Sequence, residues 1–250
     1  MNKNGNGHAP ENQSAAGLND QVYQYILDQI IKLGIEPGQR INTTKVAANL
    51  GVSRTPIRSA MDRLCEEGFV ESVSDRGYRV IPIAMSDCFN LCDARKILEG
   101  GAAYMAANNI GAKDLEILEH SIVDAKLCLK NNEYDAFAEY DTIFHETLFN
   151  AANNRYLKIM HDRMKIKIDR YRYFISFYCR STAAEDTRHA LEKHSCIFRA
   201  LKNRYSSVAQ NEMEEHIAYT YRTLFNLGWF INSQRNSKEN LSDLDELMEK

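Results

Sequence analysis

The stretch TTKVAANLGVSRTPIRSAMDRLCEEGFV, Thr43–Val70, divides cleanly at Gly51 into a short helical pattern and a longer one. That is the arrangement of a helix, a tight turn and a second helix. Ser53 stands where a side-chain oxygen caps a helix start, and Pro56 falls in the first turn, where a missing N–H is harmless. Upstream, LNDQVYQYILDQIIKLGI places Val22, Tyr23, Ile26, Ile30 and Leu33 at helical spacing, predicting a helix from Leu18 that ends near Gly34 and Pro37-Gly38. Downstream, FVESVS and YRVIPI read as two short strands around DRG, a turn with glycine where a positive φ is required. Residues 18–83 are therefore expected to form a winged helix-turn-helix domain.

From Ser86 onward strand patterns and prolines disappear and long helical periodicities take over. Helices are expected at about 86–109, 112–131, 133–152, 155–179, 183–203 and 205–232, separated by small polar clusters such as KNNE and AANNR. The fold class is mainly α, with an all-α antiparallel bundle over 84–233. Residues 1–17 and 234–250 are polar and hold little to bury, so both are expected to be tails, the first of them disordered.

The whole chain has 250 residues, 44% of them hydrophobic, and a formal net charge of −3. Such a chain is long enough for two ordinary domains, and its charge excludes a globally basic nucleic-acid binder while allowing a local basic patch. No run approaches the roughly 20 apolar residues needed to cross a bilayer, and the polar N-terminus lacks the apolar core of a signal peptide. A cytoplasmic location with no membrane partner is expected. Six cysteines (Cys65, Cys88, Cys92, Cys128, Cys179, Cys196) show no CxxC spacing, so they are expected to be reduced and mostly buried.

In a helix-turn-helix the second helix enters the major groove, with residues near its start reaching base edges and others holding phosphates. Arg54 and Arg58 lie one turn apart and share a face, each offering a fork to guanine or phosphate. Ser53 and Thr55 add hydroxyls at the helix start, while Arg76, Gly77 and Arg79 fall at the wing. An ordinary solvated face explains the same arginines, because residues 18–83 carry as many acidic as basic side chains. The order of turn, cap, arginines and wing favours double-stranded DNA as the partner.

A second constellation begins in DTIFHETLFN, where Asp141 and His145 are four residues apart and so project from one helical face. Such a pair alone usually means a surface hydrogen bond or a satisfied buried histidine. His194, among Ala190, Ile197 and Leu201, and His216, beside Met213, Ile217 and Thr220, each sit on an apolar stripe as well. Three imidazoles and a carboxylate inside one bundle must satisfy one another or hold an ion. A His3Asp set suits zinc, nickel, iron or manganese and leaves open positions. His8, His120, His161 and His189 lack a motif and are expected to be solvated.

The segment ANLGVSRTPIRSAMDRLCEEGFV followed by RGYRV resembles the signature of the GntR family of bacterial transcription regulators. That resemblance implies that Arg54 and Arg58 are the principal DNA contacts, with the wing at Gly77 assisting. Thr43 and Thr44 depart from it, standing where the family carries an acidic and often a basic residue; a phosphate contact there falls to a hydroxyl or to Lys45. Roughly Met85 to Ile231 resembles the FCD ligand-binding domain of the FadR subfamily, on the D-x-x-x-H motif, the two later histidines, FHETLFNAANNRYL and DARKILEGGAAYMAA. The resemblance implies a metal held by Asp141, His145, His194 and His216, zinc foremost, and an effector pocket into which Arg95 points to receive a carboxylate.

Arg95 is otherwise explained as a snorkelling surface arginine, and the phase of Arg170, Tyr171 and Arg172 leaves their place open. So does the aromatic run Tyr171, Tyr173, Phe174, Phe177 and Tyr178, which suits a cavity wall, a dimer face or simple core packing. The function expected is a homodimeric repressor-type regulator, not an enzyme, whose operator affinity is controlled by a small carboxylate at the metal. Two other readings stay open: a metal-dependent hydrolase-like enzyme, weakened because Glu146 should face away from the ligands, and a regulator that senses the metal itself.

Overall fold

The computed structural model describes residues 15–73, 77–178, 182–220 and 222–223. The chain divides into two compact units between Pro82 and Ile83.

The first unit contains α1 (Ala15–Ile31), β1 (Arg40–Ile41), α2 (Thr43–Leu50), α3 (Arg54–Glu66), β2 (Val70–Val73) and β3 (Gly77–Val80). Helix α1 begins three residues inside the segment expected to be an unstructured tail, because Ala15 and Ala16 are strong helix formers. Residues 1–14, with His8, lie outside the described residues. Val22, Ile26 and Ile30 of α1 are buried with Ile57, Met61 and Leu64 of α3, and the two helices pack on each other. Tyr23 closes this core by donating to Glu67 Oε2 at 2.5 Å, while the Arg63 guanidinium lies 3.6 Å above its ring.

Gly51 ends α2 at φ +64°, a left-handed conformation that a Cβ would disfavour. The expected cap at Ser53 forms no side-chain bond. A capping oxygen seeks the N–H of the second or third helical residue, and the third here is Pro56, which has none. Asn42 does cap, receiving the Lys45 N–H at 2.9 Å to start α2. The sheet is antiparallel in the order β1-β3-β2, so the wing has a strand more than expected. Gly77 opens β3 at φ +82°; Arg76 lies outside the described residues.

The second unit contains α4 (Met85–Asn109), α5 (Ala112–Asn131), α6 (Tyr134–Ala151), α7 (Arg155–Tyr178), α8 (Ala183–Lys202) and a further helix, α9, over 206–220. The C-terminal tail falls outside the described residues, as does Cys179. Phe144, Leu148 and Phe149 of α6 form the centre of the core with Leu118, Ile197, Leu201 and Met213. Alanines 102, 103, 106 and 107 let α4 approach closely, and a Cβ at Gly100 would stand only 2.9 Å from Glu214 Cγ. Among the described cysteines, all free, Cys88, Cys92 and Cys128 are buried and Cys65 and Cys196 half-buried. Among the described residues no helix is long and apolar enough to cross a membrane.

The end of α4 depends on a distant residue. Arg204, at φ +58°, donates to the carbonyls of Ala107 at 3.1 Å, Asn108 at 2.9 Å and Ile110 at 3.0 Å, meeting carbonyls that the helix itself leaves unpaired. Replacing Arg204 with Ala should lower the stability of this unit by about 1–2 kcal/mol, allowing for the side chain's exposure. Thermal unfolding of the variant against wild type measures it.

Candidate functional site

Helix α3 buries Pro56, Ile57, Ala60, Met61 and Leu64, which leaves Arg54, Thr55 and Arg58 on its exposed face, with Ser53 exposed just before. The nearby basic residues differ in their commitments. Arg63 is tied to Glu67 at 3.0 Å and Asp20 at 3.2 Å, and Arg79 to Glu71 at 2.6 Å across the wing. Among the described residues neither Arg54 nor Arg58 is ion-paired, so both guanidiniums remain available to an external anion. Lys45 and Thr44 on α2 are exposed as well.

In the helical unit Asp141, His145, His194 and His216 converge, their ligand atoms all within 4.8 Å of one another and all four residues buried. Helix α6 supplies Asp141 and His145 from adjacent turns, α8 supplies His194 and α9 supplies His216. Asp141 Oδ1 stands 3.4 Å from His194 Nε2 and 3.7 Å from His145 Nε2. The Nε2 atoms of His145 and His216 face each other at 3.2 Å. Two nitrogens each about 2.0–2.1 Å from a tetrahedral ion would lie roughly 3.3 Å apart. The ring of Phe144 stacks on His194 at 3.9 Å and fixes its plane.

Supporting charges surround the four. Arg172 Nη2 pairs with Asp141 Oδ2 at 3.0 Å, which turns Oδ1 toward the imidazoles. Glu99, 1% exposed, receives the Arg95 Nε–H at 2.5 Å and places Oε2 2.6 Å from His145 Nδ1. That last approach is close enough for an ion pair but lies off the line of a hydrogen bond. A carboxylate behind a histidine fixes the ring so that its other nitrogen faces the ligand position.

Burial pushes the Asp141 carboxyl upward, but Arg172 and the histidines outweigh it and hold it well below the usual range. Glu99 follows the same balance, with Arg95 and His145 overcoming burial. Burial pushes His194 down to about 3, and His216 well down, against the pull of Asp141. Both imidazoles are thus neutral at pH 7, the form that ligates. His194 Nε2 is buried without a hydrogen-bond partner. The donor set, its spacing and this orphaned nitrogen fit a divalent transition ion.

A cavity of about 190 Å³ adjoins the cluster and is lined by Asp141 and His216 together with Arg95 and Arg172. Arg95 is buried, not snorkelling, and its Nη1 has no hydrogen-bond partner among the described residues. Tyr171 and Tyr173 also line the cavity, whereas Phe174 is buried and Phe177 is 52% exposed, so the aromatic run is split between two roles. Glu146 pairs with Lys165.

Sequence reasoning missed Glu99; its signal was an opposite charge one turn after Arg95 on a helix of small residues. It also placed two histidines wrongly. His161 is 4% exposed and stacks on Phe149 at 4.1 Å. His189 is half-buried and stacks on Tyr219 at 3.6 Å. Both lie on helices rich in charge, where the inward phase is hard to see. His120 is exposed as expected.

Residues 18–80 match the bacterial regulatory proteins of the gntR family, and residues 90–219 match the FCD domain. The chain belongs to the GntR family. It is 28% identical over 200 residues to the HTH-type transcriptional repressor RspR of Escherichia coli (strain K12), covering 80% of this chain and 86% of that one. It is 28% identical over 198 residues to the probable D-xylose utilization operon transcriptional repressor of Paenarthrobacter nicotinovorans, covering 79% and 84%. In fold it is similar to E. coli McbR/YncC, with a TM-score of 0.70 at 20% identity over 84% of this chain and 97% of that one. GntR proteins are DNA-binding transcription regulators and not enzymes, so the hydrolase-like reading is set aside.

The buried neutral histidines set a pH dependence. Below their ordinary value near 6.5, the unfolded chain takes up protons that folded His194 and His216 do not, so stability falls with pH. In chelator-treated protein, roughly 2–3 kcal/mol should be lost between pH 7.5 and 5.5 from this pair. Melting curves across that range check it; a flat Tm contradicts the neutral assignment.

Proposed function

We propose that this GntR regulator is a homodimeric repressor of the FadR subfamily whose operator affinity is set by a small carboxylate bound at a divalent metal in its FCD domain. Asp141, His145, His194 and His216 hold the metal, with zinc foremost and nickel, iron or manganese also suited to the donor set. The observation that carries the reading is the position of Asp141 and His216, which belong both to the four-residue cluster and to the wall of a cavity that also contains Arg95.

Charge favours an acid as the occupant. In and around the cluster the guanidiniums of Arg95 and Arg172 are paired with the carboxylates of Glu99 and Asp141. Asp169 also pairs with Arg172 at 3.5 Å and Asp186 lines the cavity, so the positive charge is local: it is concentrated where a divalent ion would stand in the cavity that Arg95 also lines. An anionic ligand suits that end, with one oxygen at the metal and another toward the Arg95 guanidinium. The names of the relatives that describe repressors support repression.

Arg54 and Arg58 read the operator from α3, with Ser53 and Thr55 taking phosphates and the wing residues Arg76 and Gly77 assisting. A dimer would present this surface twice to a pseudo-palindromic site. The acid acts only to the extent that its affinity differs between the DNA-bound and free forms. In the remaining reading the metal alone is the signal; the cavity beside it favours the acid.

The test uses DNA selected from a random library by the wild-type protein. Arg54→Ala and Arg58→Ala should each weaken binding by about 1–3 kcal/mol, roughly 5- to 150-fold. Organic acids should change operator affinity of the metal-loaded protein and have no effect after chelation. A response to metal alone, unchanged by any acid, would replace this reading with metal sensing.

A further inference from the structure

Helix α4 is buried along one side, from Cys88 through Arg95 and Glu99 to Ala107. Its other side carries Asn90, Ala94, Ile97, Gly101, Tyr104 and Asn108, alternately four and three residues apart. That is the spacing of a seam that meets another helix. Ile97 is 75% exposed, and Tyr104 and Met105 are exposed beside it. A Cβ on Gly101, in the middle of the seam, would meet nothing within 4 Å.

Helix α7 widens this face. It runs antiparallel to α4: the Tyr171 hydroxyl donates to Asp87 Oδ2 at 3.2 Å near one end, and Asn154 Nδ2 meets Met105 Sδ at 3.5 Å near the other. Tyr156, Met160, Arg163 and Lys167 are exposed and lie on the helical stripe that ends at Tyr171, hence on the flank toward α4. In that register Tyr156, 72% exposed, stands level with Tyr104, and Met160, 50% exposed, lies nearer Ile97. From Asn90 to Asn108 the face is ~27 Å long, and two packed helices make it roughly 20 Å wide. On a ridged surface that is of the order of the ~800 Å² per partner that a stable interface buries.

The layout about Gly101 selects the occupant. Counting outward from it, Ala94 and Asn108 stand seven residues away, Ile97 and Met105 four, and Leu98 and Tyr104 three. A bare centre, apolar shoulders and small or polar ends therefore repeat in both directions, so the face complements itself after a half-turn. An isologous interface requires that property. Val123 and Leu127 on α5 are exposed too, but they stand among Glu119, Lys126 and Lys130 with no small residue between them, the pattern of a solvated face.

We propose that a second copy of this chain packs on the face formed by α4 and α7, its α4 crossing antiparallel at Gly101, so that Ile97 of each protomer meets the partner's Met105 and Tyr104. Gly101 lets the two backbones approach closely, and Tyr156 and Met160 close the flank. This rests on the reading that the regulator is a homodimer, and it adds the surface. Helix α4 then carries the partner on one side and, on the other, Arg95 at the wall of the effector cavity.

Light scattering of the full-length protein as it elutes from a sizing column tests it. Wild type should have the mass of a dimer. Gly101→Arg and Ile97→Glu should each weaken dimerisation by at least ~30-fold, the effect of losing a central contact, and run as monomers where wild type is paired. Gly101→Arg should keep its helix content by circular dichroism, because the side chain extends into open space and arginine is a better helix former than glycine. Val123→Glu, on α5, should remain a dimer. Gly101→Cys asks only for a small side chain, and on mild oxidation it should cross-link to its own copy beyond the wild-type background, whereas Val123→Cys should not. A dimer that survives both Gly101→Arg and Ile97→Glu, or a Gly101→Cys that gives no cross-link, overturns the inference while leaving the homodimer in place. A monomeric wild type overturns both.

Discussion

Glu99 is taken almost completely out of water between Arg95 and His145, and a carboxylate buried that deeply persists only while its cationic and hydrogen-bonding partners stay in place. The same constraint governs Asp141, which is held by Arg172 and surrounded by imidazoles. Hydrophobic packing explains the rest of the bundle: alanines on α4, the aromatic centre of α6 and the apolar stripes of α8 and α9. It does not explain why two carboxylates, two guanidiniums and three histidines meet inside. Those groups are expensive to bury singly and become tolerable as one paired network.

That network also joins elements. Glu99 and Arg95 come from α4, Asp141 and His145 from α6, Arg172 from α7, His194 from α8 and His216 from α9. A ligand at their meeting point touches five helices at once, so its free energy is distributed over the arrangement of the whole bundle. Removing one partner from such a network leaves a buried charge or donor unpaired, which is more disruptive than the loss of a surface ion pair. The Arg95–Glu99 and Arg172–Asp141 pairs therefore have a different standing from Arg79–Glu71, which is exposed on the wing.

What could be read in the sequence followed from how local its signal is. The helix-turn-helix announces itself within a few residues through Gly51, Pro56 and the apolar spacing of α3, and the long helices through their periodicity. Strand β1 escaped because it is two residues long and exists only through pairing with β3, far along the chain. The Ser53 cap failed for a reason also written locally, since Pro56 removes a donor the cap would use. In the cluster, Asp141 and His145 were legible as an i, i+4 pair on one face. Glu99 offered only its i, i+4 spacing from Arg95, because its link to the cluster lies in contact with His145 on another helix. His161 and His189 show the limit of periodicity where charged residues flank the inward position.

Whether the four converging residues hold an ion decides how the helical unit works. The direct measurement is elemental mass spectrometry of the purified, metal-reconstituted protein, comparing wild type with His194→Ala and with His120→Ala as a control on an exposed histidine. About one divalent metal per chain in wild type and in the control, lost in His194→Ala, is the result expected. No bound metal in wild type, or a metal retained in full by His194→Ala, would mean that Asp141, His145, His194 and His216 form a hydrogen-bonded polar core and not a metal site.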